Sequence, residues 1–226
     1  MASFESHLLR ATGFAILATV GTLTSVASKA LAGPPLPEAF TTIDFPGATR
    51  TVARWINPRG DIAGFYNVGG TTHGYVRSKD GEFTPIDFPG AVFTQATSIN
   101  PEGDIVGLYG AGGTQHGFLR SRDGEVTSFD FPGSTGTNAW GINPRGDIVG
   151  PYTAGGMTHG YIRDKHGQFT PFDFPGATFT LPFAINPEGE IVGQYGAGGT
   201  THGFVRSKDG GVNSFDVPGQ IGRAHV

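Results

Sequence analysis

Cysteine is missing altogether from the 226 residues. That excludes a disulfide frame, a thiolate metal site and a cysteine nucleophile. Charge is scarce as well: Asp, Glu, Lys and Arg make up 15%, where an ordinary soluble domain carries about a quarter. The formal net charge is -4 and no basic patch stands out, so nucleic acid is not an expected partner. No G-x-S-x-G elbow is present for a serine nucleophile, and no D-x-D-x-D-G loop for calcium. Beyond the first 32 residues the chain has no sustained helical apolar spacing and no second long hydrophobic run. No membrane span is therefore expected once a leader is removed.

What is plentiful is glycine (38) and proline (16), together nearly a quarter of the chain. Aperiodic, that content would read as disorder. Here the glycines recur at fixed offsets within a 43-residue unit, so they read as turn punctuation. The unit is plainest over residues 83–125, FTPIDFPGAVFTQATSINPEGDIVGLYGAGGTQHGFLRSRDGE. Copies occupy residues 40–82, 83–125, 126–168 and 169–211 without insertion or deletion, and a partial copy runs over 212–220.

The two ends differ in kind. Arg10 precedes an apolar run from Ala11 to Val20, and Ala30-Leu31-Ala32 offers small residues for a signal peptidase. Residues 1–32 are expected to be a secretory signal peptide, and 33–39, rich in proline, an extended linker. At the other end Ile221-Gly222-Arg223-Ala224-His225-Val226 breaks the repeat: Arg223 stands where the full copies carry Thr51, Thr94, Thr137 and Thr180. The string IGRAHV resembles the translation of a sequencing adapter, so the natural chain is expected to continue past Gln220.

Within one unit, FTPIDFPG alternates as a strand and ends at Pro89-Gly90. Small residues from Thr94 to Ile99 form a second strand. Asn100-Pro101-Glu102-Gly103 turns the chain, with proline suited to its second position and glycine to positive φ. Asp104–Tyr109 and His116–Arg120 follow as strands around Gly110–Gly113, and Asp123-Gly124 marks a hairpin. Four short antiparallel strands per unit predict an all-β fold, a β-propeller of four-stranded blades. A β-solenoid is the rival, but its coils are usually shorter and lack three tight turns each. Counted from the small-residue strand, four blades fill Thr51–Pro218 and leave a spare strand at Thr41–Phe45. The expectation is therefore an incomplete ring of four blades plus that strand, with exposed sheet edges.

Gly141-Ile142-Asn143-Pro144-Arg145-Gly146-Asp147-Ile148-Val149-Gly150, followed by His159-Gly160-Tyr161, resembles the extracellular HAF-type repeat, G-x-I-N-x-x-G-x-I-V-G with a later H-A-F. The likeness spans residues 40–211, with His-Gly-Phe or His-Gly-Tyr in place of His-Ala-Phe. It implies an exported, propeller-like bacterial repeat protein and assigns no reaction.

Several recurring side chains invite a chemical reading. His73, His116, His159 and His202 could ring a metal, or each could bond an aspartate ahead of the Pro-Gly turn (Asp44, Asp87, Asp130, Asp173, Asp216). Occurrence in every unit favours the structural role, as does a resemblance to propeller repeats that tie Gly-His to Trp-Asp. No metal and no cofactor is expected. Arg77, Arg120, Arg163 and Arg206 lie two positions after an aromatic and share its face. They could join it in holding a sugar, or tie blade to blade through a carboxylate. Asp61, Asp104, Asp147 and Glu190 follow the Asn-Pro turn as solvated carboxylates, and the Arg-Gly-Asp at 59–61 and 145–147 is a by-product of that turn. Trp55, Trp140, Met157 and His166 depart from the repeat. Trp55 and Trp140 are candidate ligand contacts, though burial between blades competes. Their offsets differ by one, which by strand alternation places them on opposite faces.

No catalytic residue is assigned. The expected function is a non-catalytic binding or scaffold module of the cell exterior, secreted, periplasmic or surface-attached, whose partner is a glycan or other cell-surface ligand. Repeated weak sites gain from multivalency. The alternatives are a fragment of a secreted carbohydrate-active propeller enzyme and a purely structural repeat.

Overall fold

A computed structural model of the chain describes residues 41–216. The expected signal peptide, linker and adapter-like tail, and the end of the partial repeat, lie outside the described residues. The compact unit begins at Ile43. Every described element is a strand, so among the described residues no helix is long and apolar enough to cross a membrane.

Each repeat folds as one antiparallel meander of four strands. The first comprises β1 (Arg50–Ile56), β2 (Ile62–Val68), β3 (Thr71–Arg77) and β4 (Phe83–Ile86), paired in that order. The second is β5 (Phe93–Ile99), β6 (Ile105–Ala111), β7 (Thr114–Arg120) and β8 (Val126–Phe129). In the third, the first strand is split into β9 (Gly136–Thr137) and β10 (Gly141–Ile142), ahead of β11 (Ile148–Ala154), β12 (Met157–Arg163) and β13 (Phe169–Phe172). The fourth is β14 (Phe179–Ile185), β15 (Ile191–Ala197), β16 (Thr200–Arg206) and β17 (Val212–Phe215). One parallel bridge, Thr158 to Phe179, joins the third meander to the fourth.

The split has a local cause. Pro151 stands where the other units carry Phe65, Leu108 and Gln194, and proline has no N–H to give to the ladder. The Asn138 amide still donates to the Pro151 carbonyl at 2.9 Å. The Asn138 carbonyl instead accepts the hydroxyl of Tyr161 at 2.9 Å. Tyr161 is fully buried, and that burial pushes its phenol well above the ordinary range, so the hydroxyl stays a donor at any working pH.

The turns are built from side chains. Asn100 Oδ1 accepts the amides of Gly103 (2.9 Å) and Asp104 (2.8 Å), and its Nδ2 donates to Asp104 Oδ2 at 3.0 Å. Asp104 Oδ1 in turn accepts the Arg122 amide at 3.0 Å. Asp61 likewise accepts the Lys79 amide at 3.3 Å, so two of the carboxylates read from the sequence as simply solvated, Asp61 and Asp104, each brace two turns. The amides of Asn57 and Asn143 also reach the carbonyls of Asn100 and Asn186, 43 residues on, at 3.3 and 3.4 Å. Gly107 follows the Ile-Val pair because a Cβ there would lie 2.0 Å from the Gln95 carbonyl oxygen and 2.6 Å from the Phe118 ring.

The core lies between successive meanders. Ala63 and Ile86 of the first pack with Ala96, Ile99, Ile105, Tyr109 and Phe118 of the second, and the same positions recur at the next two junctions. Fully burying a ring or branched side chain contributes about 1.5–3 kcal/mol, so each junction is held by several such terms.

The expected spare strand at Thr41–Phe45 does not form. Its counterparts β4, β8, β13 and β17 all pair with a third strand of their own meander, and no meander precedes Thr41 among the described residues. Phe45 still takes its repeat position, stacked on Tyr66 at 3.6 Å.

Candidate ligand site

Two sets of side chains contrast within each meander. The first is identical throughout. Phe45, Phe88, Phe131 and Phe174 stack on Tyr66, Tyr109, Tyr152 and Tyr195 at 3.6–3.7 Å. Each tyrosine faces the repeat histidine at 5.1–5.2 Å. The Nδ1 atoms of His73, His116, His159 and His202 sit 2.8–2.9 Å from Asp87, Asp130, Asp173 and Asp216. The next residue, as in Asp87-Phe88, belongs to the following stack, so the Asp-Phe pair straddles the junction. Among the described residues Asp44 pairs with no histidine. Among the described residues no three His, Asp or Glu side chains converge to hold a metal.

The repeat arginines do not meet a ligand beside an open aromatic. Tyr75, Phe118, Tyr161 and Phe204, which they flank, are completely buried, so no sugar can lie on those rings. Nor, among the described residues, do these arginines pair with a carboxylate. Arg163 lies over Phe129 of the preceding meander at 4.7 Å and Phe169 of its own at 6.0 Å, and Arg206 lies over Phe172 at 5.0 Å. Ile86, which has no π face, stands at the repeat position of Phe129 and Phe172, so Arg120 has no ring of the preceding meander there, and Arg77 lies over Phe83 of its own meander at 5.8 Å. From the second meander to the third and from the third to the fourth, the arginine tie is therefore cation–π, through a ring rather than a carboxylate.

The second set differs in every unit. Arg54, Thr97, Trp140 and Phe183 occupy one repeat position on the first strands. Together with Trp55 they line a single recess of about 220 Å³. Trp55 also borders a neighbouring apolar cleft of about 440 Å³, formed by the Asn-Pro turns and by Ile56, Ile99, Ile142 and Ile185. The first strands of all four meanders thus converge on one place. Trp140 and Phe183 stack at 5.4 Å with 24° between planes, and Trp55 is 42% exposed. Thr97 is buried, its hydroxyl 2.7 Å from the Ala139 carbonyl and 3.0 Å from that of Val106.

Strand alternation would set Trp55 and Trp140 on opposite faces. A bulge overturns it. The ladder skips one residue between Ala53 and Trp55, between Ala96 and Ser98, and between Pro182 and Ala184. The extra residue is Arg54, Thr97 or Phe183, and in the third unit Trp140 takes that place in the break between β9 and β10. A bulge re-aims side chains, and here it brings two adjacent positions into one recess. Burial between blades also fails for Trp55. Arg54, Phe183 and Thr97 escaped the sequence reading, although aligning the copies would have shown this to be a position where all four differ.

Arg54 carries the charge of the recess. Its guanidinium lies 5.9 Å from the Phe65 ring centre, and Arg50 lies 5.5 Å from the same ring. Both arginines are exposed, and neither makes a carboxylate pair among the described residues. The nearby Glu190 carboxylate, in the larger cleft, is taken by the Asn186 amide at 2.8 Å. No histidine or carboxylate lines the smaller recess. Its surface offers aromatic faces and a cation.

No family model matches the sequence and no curated protein is similar to it. Among solved structures, TolB from Acinetobacter baumannii is similar over 73% of this chain, with 18% identity and a TM-score of 0.59. A streptogramin B lyase is similar over 78%, with 14% identity and a TM-score of 0.51. The chain spans 43% of the first and 58% of the second. Both are β-propellers, and at this identity the likeness establishes the fold alone: the meanders are propeller blades.

Proposed function

We propose that this chain is part of an exported, non-catalytic binding protein whose ligand is a carbohydrate held against Trp55 and Trp140. The observation that carries this reading is the contrast between periodic and variable positions. Side chains that build the blades repeat unit after unit, while Arg54, Thr97, Trp140 and Phe183, one repeat position that differs in all four units, line a single recess. Aromatic faces beside a guanidinium suit a sugar ring, whose C–H face stacks while its hydroxyls accept hydrogen bonds. A signal-like amino terminus supports export.

We further propose that the four blades are an arc of a larger ring. Ile56 is 61% exposed, whereas Ile99, Ile142 and Ile185 at the same repeat position are buried. Val192 is 43% exposed and its counterpart Val149 fully buried. Further blades would cover both faces.

The chain contains two tryptophans, both at the recess, so their emission reports directly on it. Titration with a panel of soluble polysaccharides should quench or blue-shift that emission for at least one member. Trp140→Ala should weaken retention on that polysaccharide by at least about tenfold, the equivalent of about 1.4 kcal/mol. An emission spectrum unmoved by every member, with wild type and variant equally unretained, would overturn the proposal.

A further inference from the structure

We infer that the sugar taken by the Trp55–Trp140 recess carries a carboxylate, as the uronic acid units of an acidic polysaccharide do. The inference rests on the carbohydrate reading above and narrows it.

It starts from a local rule that the sequence breaks. Arg50 and Arg54 stand four residues apart on β1 and share the ring of Phe65. Two like charges on one face of a strand repel each other, and neither is offset by a carboxylate among the described residues. The other blades have no such charge. Phe93, Gly136 and Phe179 replace Arg50, and Thr97, Trp140 and Phe183 replace Arg54. An unpaired cationic couple in a chain of net charge -4, set against a background of near-identical repeats, is a departure of the kind found at functional positions.

The geometry then selects the ligand. Phe65 is buried and backs the two guanidiniums, while both arginines remain exposed. A guanidinium fork matches a carboxylate bidentately. Arg54 lies in the same recess as Trp55, Trp140 and Phe183, so one ligand can present a sugar face to the indoles and a carboxylate to the arginines. A neutral glycan would leave the repulsion between the arginines in place. A bare anion would leave the aromatic faces unused.

Soluble oligogalacturonate and a neutral galactan oligomer of similar length separate the two requirements. Tryptophan emission should respond to oligogalacturonate at least about tenfold more tightly than to the neutral oligomer. Raising the salt should erode the preference, because exposed charge pairs are screened over about 10 Å at 0.1 M. Arg54→Gln should remove most of the preference and Arg50→Gln/Arg54→Gln all of it. Both residues are exposed, so melting temperatures should stay close to that of wild type. Equal response to both oligomers, unchanged in Arg54→Gln, would overturn the carboxylate inference and leave the carbohydrate reading standing. Response to neither oligomer, with Trp140→Ala indistinguishable from wild type, would count against both.

Discussion

Phe118 and Trp140 sit in neighbouring blades, one on a third strand and the other beside a first, and they follow opposite rules. Phe118 has an aromatic at the same place in every unit, Tyr75, Tyr161 or Phe204, always fully buried. Trp140 corresponds to arginine, threonine and phenylalanine, and only the threonine is buried. The stacked columns around Tyr66, Tyr109, Tyr152 and Tyr195 hold their spacing within 3.6–3.7 Å, because each blade buries its apolar face against the next and a change in one must fit two neighbours. The recess meets no such condition. Its residues face a cleft, and a cleft tolerates variety.

The comparison can be broken most directly by removing one ring from each side. Phe118→Ala should cost about 3–5 kcal/mol of stability in urea unfolding, the usual range for deleting a buried aromatic. Trp140→Ala should cost less than about 1 kcal/mol while weakening ligand retention at least about tenfold. Near-equal losses would erase the distinction between framework and site.

Next in size is the turn amide. Asn100→Ala removes the side-chain acceptor of two backbone amides; the Gly103 amide keeps the carbonyl of residue 100 at 3.1 Å, so the Asp104 amide alone is left unpaired, at about 1 kcal/mol or more. A loss of roughly 1–2 kcal/mol is expected in the same unfolding experiment, with no change in ligand response. His116→Ala should lose about 1 kcal/mol or less, since its partner Asp130 is half in water and exposed pairs contribute little. A thermal melt resolves it.

Ile86→Phe sharpens the comparison in the other direction. It would give Arg120 the ring that Arg163 and Arg206 already have, for a gain of about 0.5–1 kcal/mol. A loss instead would mean that this junction cannot accept the larger side chain. The smallest effect is acid sensitivity at Asp61. Burial raises its carboxyl, but the Asn57 amide, Arg59 and the Lys79 backbone N–H outweigh that and hold it below the ordinary carboxylate range. A lowered folded-state value adds stability above the unfolded carboxyl's pKa, about 3.9, and that stability fades as the pH falls through the folded one. Asp61→Asn should therefore flatten part of the stability profile below about pH 4 and leave the neutral plateau otherwise parallel, measured by urea midpoints across pH.

The repeat itself announced the meanders. Asn-Pro-x-Gly, Asp-Gly and the paired glycines of residues 69–70, 112–113, 155–156 and 198–199 fix turns through positive φ, a backbone demand that reads directly from residue type. The split at Pro151 was not anticipated from the sequence, although its cause, a missing N–H, is a property of one residue. Strand pairing at Thr41–Phe45 was not, because a strand needs a partner and a partner is not a local property.

By itself, then, the sequence determined the blade: its length, its turns and the residues that recur because every junction repeats the same packing. Only the tertiary structure decided which side chains meet. Trp55 and Trp140 come together because a one-residue bulge cancels strand alternation, and Arg163 reaches Phe129 because a neighbouring blade supplies the ring. Both outcomes depend on contacts between segments far apart in the chain, and a period counted along one strand carries no information about them.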